Sequence, residues 1–194
     1  MASNRNEGGC GCIIMIIIII CFGISECNNN KKNGGCQDSI MIDTATIAPL
    51  VDPIVEQYKN NHLESLSQPY PNEIKLRGGT SAIKVSSNSG AEQDVIVIIK
   101  NNNNQIVRNS YLRPGSSVNM DVPSGTYQMF LYYGNGWCPD KVMPNGLTGG
   151  FVCNESFSKD DPITLEQYQY VEYSLTPTTN GNFQTKYADK DEAF

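Results

Sequence analysis

The chain has 194 residues and a formal net charge of −6, with 39% hydrophobic and 18% charged residues. This length suits one ordinary domain with a tether or tail, and the acidic balance excludes nucleic-acid binding through a basic surface. The single histidine, His62, excludes catalytic and metal sites that are built from several histidines.

An apolar run near the N-terminus is the first predicted element. Residues Ile13–Ile20 are all apolar, and the stretch continues through Ile24. A transmembrane helix needs about 20 apolar residues, so this run is short for a stable span and has the length of the apolar region of a secretory signal. The sequence therefore predicts that residues 1–25 are a signal or a membrane anchor and that the rest of the chain lies outside the cytoplasm.

Cys27 follows the apolar run and is itself followed by the polar residues 28–32, Asn-Asn-Asn-Lys-Lys. This arrangement resembles the start of a mature bacterial lipoprotein, and the resemblance covers residues 13–32. It implies acylation of Cys27 and attachment to a membrane through the N-terminus. Glu26 departs from the pattern, because a small residue normally precedes the cysteine. Cleavage after Ser25 and an uncleaved anchor are the two alternatives.

Residues 26–73 are predicted to be a polar tether that contains one short helix near 52–61. Asp52 and Pro53 suit the N-cap and the first turn of that helix. Residues 63–73 contain two prolines on either side of a tyrosine, which predicts a linker into the next domain.

From residue 74 to residue 177 the pattern changes to short strands separated by turns that are rich in glycine, proline and asparagine. A spacing of about ten residues with such turns predicts an all-β, antiparallel sandwich of about 7–8 strands. The candidate strands are 74–77, 81–85, 94–100, 105–112, 117–122, 126–133, 150–156 and 168–177.

Three of these strands carry an informative side-chain pattern. Val95–Ile99 is apolar throughout, which predicts a central strand buried on both faces. Residues 126–133 and 168–177 alternate in the way that places every second side chain on the same face of a sheet. Residues 178–194 are predicted to be a C-terminal tail that is frayed from 186 to 194.

Val122-Pro123-Ser124-Gly125-Thr126-Tyr127 resembles the V-P-x-G-x-Y hairpin of immunoglobulin-like and carboxypeptidase-regulatory-like sandwiches of extracytoplasmic proteins. The likeness covers about residues 74–177. It implies an immunoglobulin-like β-sandwich, a fold that serves many functions.

The stretch between the strands 126–133 and 150–156 is predicted to be a long loop, and it holds the only tryptophan. One interpretation is a binding loop, since exposed aromatic rings stack on sugars or contact proteins. The other interpretation is that the tryptophan covers one end of the core. The candidate binding residues are Trp137, Tyr132, Tyr133 and Phe151.

Cys138 and Cys153 lie in the same region and are predicted to form a disulfide, which would stabilise the fold by about 3 kcal/mol. The alternative, a metal or redox pair, matches no known ligand spacing. Acidic side chains nearby could bind Ca²⁺ or form a solvated acidic loop, and the second interpretation is preferred because no EF-hand spacing is present. These residues are Asp140, Glu155, Asp160 and Asp161. No cofactor or metal is predicted.

These observations predict a non-enzymatic, membrane-anchored extracytoplasmic protein that presents a β-sandwich for binding or for envelope structure. The protein or glycan partner is not specified by the sequence. The first alternative is a carbohydrate-binding module that uses the Trp137 loop. The second alternative is a hydrolase that uses Asp and Glu side chains.

Overall fold

The computed structural model describes residues 15–21, 52–176 and 183–194, with backbone alone for 15–21, 183 and 184. Strands dominate the described residues, and three short helical turns accompany them. The helices are α1 (Pro53–Tyr58) and α2 (Lys190–Ala193), with a 3-10 turn at Pro144–Gly146. The strands are β1 (Met15–Cys21), β2 (Ser81–Ser87), β3 (Asp94–Asn101), β4 (Ile106–Leu112), β5 (Ser117–Val122), β6 (Gly125–Val142), β7 (Thr148–Lys159), β8 (Ile163–Leu165), β9 (Tyr170–Leu175), β10 (Phe183–Gln184) and β11 (Lys186–Tyr187).

Two sheets form a sandwich, which confirms the predicted all-β class. Sheet A has the order β10-β1-β9-β2-β5, and sheet B has the order β11-β7-β6-β3-β4, with β8 also paired to β6. The expectation of a purely antiparallel sandwich is wrong, because β9 runs parallel to both β2 and β1. A parallel pair needs a long crossover connection, and the whole of residues 88–169 supplies it between β2 and β9.

Buried side chains between the two sheets form what we call the inner core. Valine, isoleucine and leucine dominate it, as expected for alternate inward positions of strands. Its members are Ile83, Val85, Val95, Val97, Ile99, Val107, Leu112, Met120, Val122, Tyr127, Met129, Leu131, Tyr133, Leu165, Val171, Tyr173 and Leu175.

A second cluster, which we call the outer core, covers the opposite face of sheet B. It is rich in aromatic rings and includes residues that lie outside the main strands. Its members are Tyr70, Ile96, Ile98, Ile106, Tyr111, Phe130, Tyr132, Trp137, Met143, Phe151, Ala188, Ala193 and Phe194. The central strands of sheet B are therefore buried on both faces, whereas residues 154–156 of β7 and Val142 of β6 are exposed.

Strand β3 demonstrates this burial directly. Val95, Val97 and Ile99 enter the inner core, whereas Ile96 and Ile98 enter the outer core. The prediction of a central strand buried on both faces is confirmed. The predicted alternation in β6 is confirmed as well, since its odd-numbered positions from 127 to 133 face inward and residues 130 and 132 face outward.

The stretch predicted as a long loop is a β-hairpin. β6 continues to Val142 and β7 begins at Thr148, so the two strands pair far beyond the predicted ends. Register shifts between Tyr133 and Asn135, and between Cys138 and Val142, absorb the Gly-Asn-Gly and Cys-Pro-Asp sequences as bulges. These bulges explain why turn-forming residues did not end the strand.

The predicted V-P-x-G-x-Y hairpin is a connection between sheets. Val122 ends β5 in sheet A, whereas Gly125 begins β6 in sheet B. The Tyr127 ring is buried in the inner core, and its hydroxyl donates to the carbonyl of Pro123 at 2.9 Å. That bond fixes the angle at which the chain crosses from one sheet to the other.

Residues 63–73 pack on the domain, so the prediction of a linker is wrong for them. The Leu66 amide donates to the Tyr111 carbonyl at 2.7 Å, and the Tyr111 amide donates to the Ser67 carbonyl at 2.8 Å. Tyr70 is only 2% exposed, because Asn109 bonds both its amide and its carbonyl. This segment therefore covers the edge of β4.

The described part of the C-terminal tail is ordered against the outer core, so the prediction of fraying is wrong from 186 to 194. Phe194 is 4% exposed and lies 4.8 Å from the Tyr70 ring, centroid to centroid. Asp189 and Glu192 form a capping box that starts α2. The buried Lys100 ammonium donates to the main-chain oxygens of Glu192 at 2.8 Å and Phe194 at 3.2 Å.

Part of the predicted signal or anchor, Met15–Cys21, forms β1 between β9 and β10. The other residues of the 1–25 segment lie outside the described part of the chain. So do Cys27, the proposed lipidation site, and the tether up to residue 51. Among the described residues, no helix has the length and hydropathy needed to cross a membrane.

Candidate functional site

Helix α1 is fixed on the β6–β7 hairpin by local features of the sequence. The Asp52 carboxylate accepts from the Ile54 amide at 2.9 Å, which caps the helix, and Pro53 occupies its first turn. On the hairpin, Gly136 has a φ of +73°, and a Cβ there would lie 2.7 Å from the Tyr58 carbonyl oxygen. Glycine is therefore needed for both the bulge and the close approach of the helix.

Past the end of α1, the chain bonds directly to β6. The Trp137 amide donates to the Asn61 carbonyl at 2.8 Å, and the Asn61 side-chain amide donates to the Trp137 carbonyl at 2.6 Å. These two bonds hold the helix against the hairpin.

A groove of about 560 Å³ lies between α1 and the hairpin, and we call it the α1 groove. Its lining combines an apolar wall with three charged side chains. Ile54 is 52% exposed and Val142 is 78% exposed, both unusually high for aliphatic residues. The apolar wall is Ile54, Val55, Tyr58, Cys138, Val142 and Val152, and the charged residues are Asp52, Asp140 and Lys141.

Lys141 links the groove to a buried polar network. Its ammonium donates to the Phe151 carbonyl, and to the Glu155 carboxylate at 2.5 Å. The Tyr132 hydroxyl donates to the other Glu155 oxygen and accepts from the Phe151 amide at 2.7 Å. Burial raises the pKa of the Tyr132 hydroxyl well above its ordinary value, and the Glu155 carboxylate beside it raises this pKa further. Tyr132 is therefore a neutral donor that positions Glu155 and Lys141.

A second cavity, of about 630 Å³, lies near the C-terminal end of α1 and includes Lys59, Glu92, Asn135 and Cys153. Its lining is mostly polar. The Asn135 side-chain amide donates to the Glu92 carbonyl at 2.7 Å, so part of this lining is already engaged within the protein.

His62, the single histidine, contacts a buried carboxylate. Its Nδ1 lies 2.5 Å from Oδ2 of Asp94, which is 2% exposed and also accepts from the Tyr111 hydroxyl. Asp94 directly precedes the apolar run Val95–Ile99, and this was the sequence signal for the cluster. A His–Asp pair can act as a general base when a nucleophile is near, and no described Ser, Thr or Cys side chain hydrogen-bonds to His62. The contact between His62 and Asp94 joins the chain after α1 to β3.

The four candidate binding residues are all buried. Tyr132, Trp137 and Phe151 lie in the outer core, whereas Tyr133 lies in the inner core. Trp137 is 5% exposed and makes edge contacts with Tyr70, Tyr111 and Phe151. The expectation of exposed aromatic rings is wrong, because Tyr132, Trp137 and Phe151 are buried on the outer face of sheet B and Tyr133 is buried on its inner face. Trp137 is part of the outer core.

The predicted disulfide is not formed, and Cys138 and Cys153 are both free thiols. The hairpin register pairs Cys138 with Gly150 and Cys153 with Asn135. Three positions along the strands place the Cα atoms of the two cysteines about 10 Å apart, beyond the roughly 7 Å that a disulfide allows between Cα atoms. Sequence separation alone could not reveal this register.

The acidic residues near the hairpin are dispersed. Glu155 pairs with Lys141, Asp161 pairs with Lys186 at 2.5 Å, and Asp160 is buried. The described residues do not bring three or more His, Cys, Asp or Glu side chains together in a way that could hold a metal ion.

Comparisons with models of known protein families, with curated proteins and with solved structures found no match to this chain.

Proposed function

We propose that this chain is an exported, membrane-attached protein whose β-sandwich binds a partner through the α1 groove, without catalysing a reaction. The single observation that supports binding is the groove itself, since Ile54 on α1 and Val142 on β6 both line it and both expose aliphatic side chains. A mostly apolar lining with a few charged residues is typical of binding clefts. The apolar run Ile13–Ile20 and the polar residues after it support export.

We infer further that the sandwich belongs to the carboxypeptidase-regulatory-like type of extracytoplasmic domain. The Val122–Tyr127 motif is common to this type and to the immunoglobulin-like type, so strand order has to separate the two. The pairing of β2 with β5 and β9 argues against the immunoglobulin order, in which the first strand pairs with the second. A crystal structure in which β2 paired with β3 would contradict this inference.

Export is tested by separating the envelope and the cytoplasm of the producing cells and recording the mass of the intact protein from each fraction. We expect the protein in the envelope, either cleaved within residues 20–28 or retaining the apolar run as an anchor. Recovery of the full chain from the cytoplasm alone would contradict the proposal.

The binding surface is tested with a photo-crosslinking amino acid at position 142 of the envelope-resident protein. We expect a discrete crosslinked product from this position, and its loss when Ile54→Asp is added on the opposite wall. Position 187 supplies the matched control, because Tyr187 is 82% exposed but lies on β11, outside the groove. Equal products from positions 142 and 187, or no product from either, would contradict a binding role for the groove.

A further inference from the structure

The side of β9 that pairs with β1 is a second candidate for a binding surface. β9 hydrogen-bonds to β2 on one side and to β1 on the other, and both neighbours run parallel to it. The β1 pairing covers six positions, from Met15 opposite Tyr170 to Ile20 opposite Leu175.

The hydrogen bonds to β2 identify which backbone groups of β9 face the other edge. The Ala82 amide donates to the Gln169 carbonyl at 3.0 Å, and the Asn88 amide donates to the Leu175 carbonyl at 3.3 Å. Backbone groups of successive residues in a strand point to alternate sides, so the odd-numbered residues of β9 face β2. The amides and carbonyls of Tyr170, Glu172 and Ser174 therefore face the edge where β1 lies.

The side chains of β9 define what an added strand meets. Val171, Tyr173 and Leu175 are buried in the inner core, whereas Glu172 is on the opposite face and pairs with Lys84 at 3.0 Å. A strand added at this edge therefore places every second residue beside the inner core. Apolar residues are therefore favoured at these positions of an added strand, and Met15–Cys21 has such a composition.

Export would remove β1 from this position, and this step rests on the function proposed above. Whether residues 1–25 are cleaved or embedded in a membrane, Met15–Cys21 cannot also pair with β9. The amides of Tyr170, Glu172 and Ser174 and the carbonyls of Tyr170 and Glu172 would then form an open edge beside the inner core, while the Ser174 carbonyl accepts from the Thr176 amide at 3.1 Å. Unpaired strand edges of this kind bind further strands.

We propose that in the exported protein the edge of β9 binds an extended apolar segment of a different protein, which adds as a strand parallel to β9. A second copy of this chain is a poor source of that strand. Without β1, each described strand of such a copy except β10 still pairs within its own sheet, and β10 has only two residues, too few for the six positions of β9. Two copies would also each carry a net charge of −6.

A labelled peptide tests this proposal on the protein purified from the envelope. The probe carries the sequence of residues 14–21 between flanking lysines and a fluorophore. We expect saturable binding by fluorescence anisotropy. A peptide with serine at the three positions opposite Val171, Tyr173 and Leu175 should bind at least tenfold more weakly, because paired residues of adjacent strands share a face of the sheet.

Two variants separate backbone pairing from side-chain contacts. Glu172→Pro removes an amide that faces the open edge and should weaken peptide binding at least tenfold. Glu172→Ala also loses the ion pair with Lys84 but keeps the amide, so it should bind the peptide like the wild type. Equal binding by wild type and Glu172→Pro would overturn the proposal, and so would an exported protein that binds no peptide.

Hydrogen exchange of the wild-type protein gives a measurement that does not depend on how Glu172→Pro folds. The peptide should slow exchange at the amides of residues 170, 172 and 174 and leave 171 and 173 unchanged. Unchanged exchange at all five positions would overturn the proposal. If the wild-type protein self-associates and Glu172→Pro does not, a second copy supplies the strand. That result would overturn the assignment to a different protein. A chain found intact in the cytoplasm contradicts the proposed export, whereas exported protein without peptide binding contradicts only this inference.

Discussion

The two cores of this protein are built from different parts of the sequence. The inner core is formed by strands, through the alternation of aliphatic side chains. The outer core lies on the other face of sheet B and includes rings from three kinds of segment. Tyr70 lies in a stretch without regular structure, Trp137 in the β6–β7 hairpin and Phe194 in the terminal segment. Sheet B therefore lies between two layers. Sheet A covers one face, and the layer over the other face consists largely of irregular chain.

Aromatic geometry explains how irregular segments can cover a sheet. Phe194, in the terminal segment, makes edge contacts with the Tyr132 ring of β6 at 5.8 Å and with the Tyr70 ring at 4.8 Å, measured between ring centroids. Each aromatic side chain buries a large area and makes directional contacts, so a few rings replace the many aliphatic contacts of a regular strand. The outer core should therefore depend more on single residues than the inner core does.

Replacement of Trp137 by alanine tests that dependence with the largest expected effect. We expect a loss of about 3–5 kcal/mol in the free energy of unfolding, because the variant removes a buried ring and leaves a cavity. Urea denaturation measures the loss, and Tyr187→Ala, at an 82% exposed position, is the control that should change little. A stability loss below about 1 kcal/mol would show that Trp137 does not support the outer core.

The same contrast explains which parts of the fold could be predicted from sequence. Alternation in β6 and β9 and the apolar run in β3 depend on neighbouring residues, so the inner core was predictable. Burial of Tyr70 and Phe194 depends on contacts between residues more than 100 positions apart, and no local pattern encodes these contacts. The free thiols of Cys138 and Cys153 and the contact between His62 and Asp94 depend on strand register in the same way.

Asn109 connects the segment over β4 to the sheet, and its loss should be the next largest effect. Its side chain accepts from the Tyr70 amide at 3.1 Å and donates to the Tyr70 carbonyl at 2.8 Å. Asn109→Ala leaves both buried groups without these partners, so we expect a loss of about 1–3 kcal/mol in the free energy of unfolding. Hydrogen exchange should rise at residues 66–73 while the amides of β3 stay protected. A uniform rise in both places would contradict a local role, and Asn119→Ala, on the exposed part of β5, is the matched control.

Gly136→Ala tests how α1 depends on the hairpin. A residue with a Cβ is strained at a φ of +73°, and the added atom would lie 2.7 Å from Tyr58 and 2.8 Å from Lys59. We expect a loss of about 1–2 kcal/mol. Faster exchange in α1 and weaker crosslinking at position 142 should accompany it.

Gly146→Ala is the matched control. Gly146 has a similar φ of +72° but open space around it, so this variant shows the effect of backbone strain without the clash. Identical effects of the two variants on α1 would indicate that contact with Gly136 does not position the helix.

Asp160 provides the smallest expected effect and tests the inner core. It is 2% exposed, and burial raises the pKa of its carboxyl, while the neighbouring Tyr173 hydroxyl lowers this pKa in part. A raised pKa in the folded state means that the protonated carboxyl favours folding. This contribution is complete below the unfolded pKa of about 3.9 and is lost as the pH rises through the folded pKa.

Asp160→Asn removes this titration and keeps an oxygen that can accept from the Asp161 amide. The variant should therefore gain stability relative to wild type as the pH rises from about 4 to 7, by an amount of the order of 1 kcal/mol. Urea denaturation across this range measures the difference, with Asp161→Asn at the exposed neighbouring position as the control. A constant difference between Asp160→Asn and wild type at every pH would contradict a carboxyl whose pKa is raised by burial. Because Tyr173 lies in β9, binding of a strand at the β9 edge should change this pH dependence in wild type and leave it unchanged in Asp160→Asn.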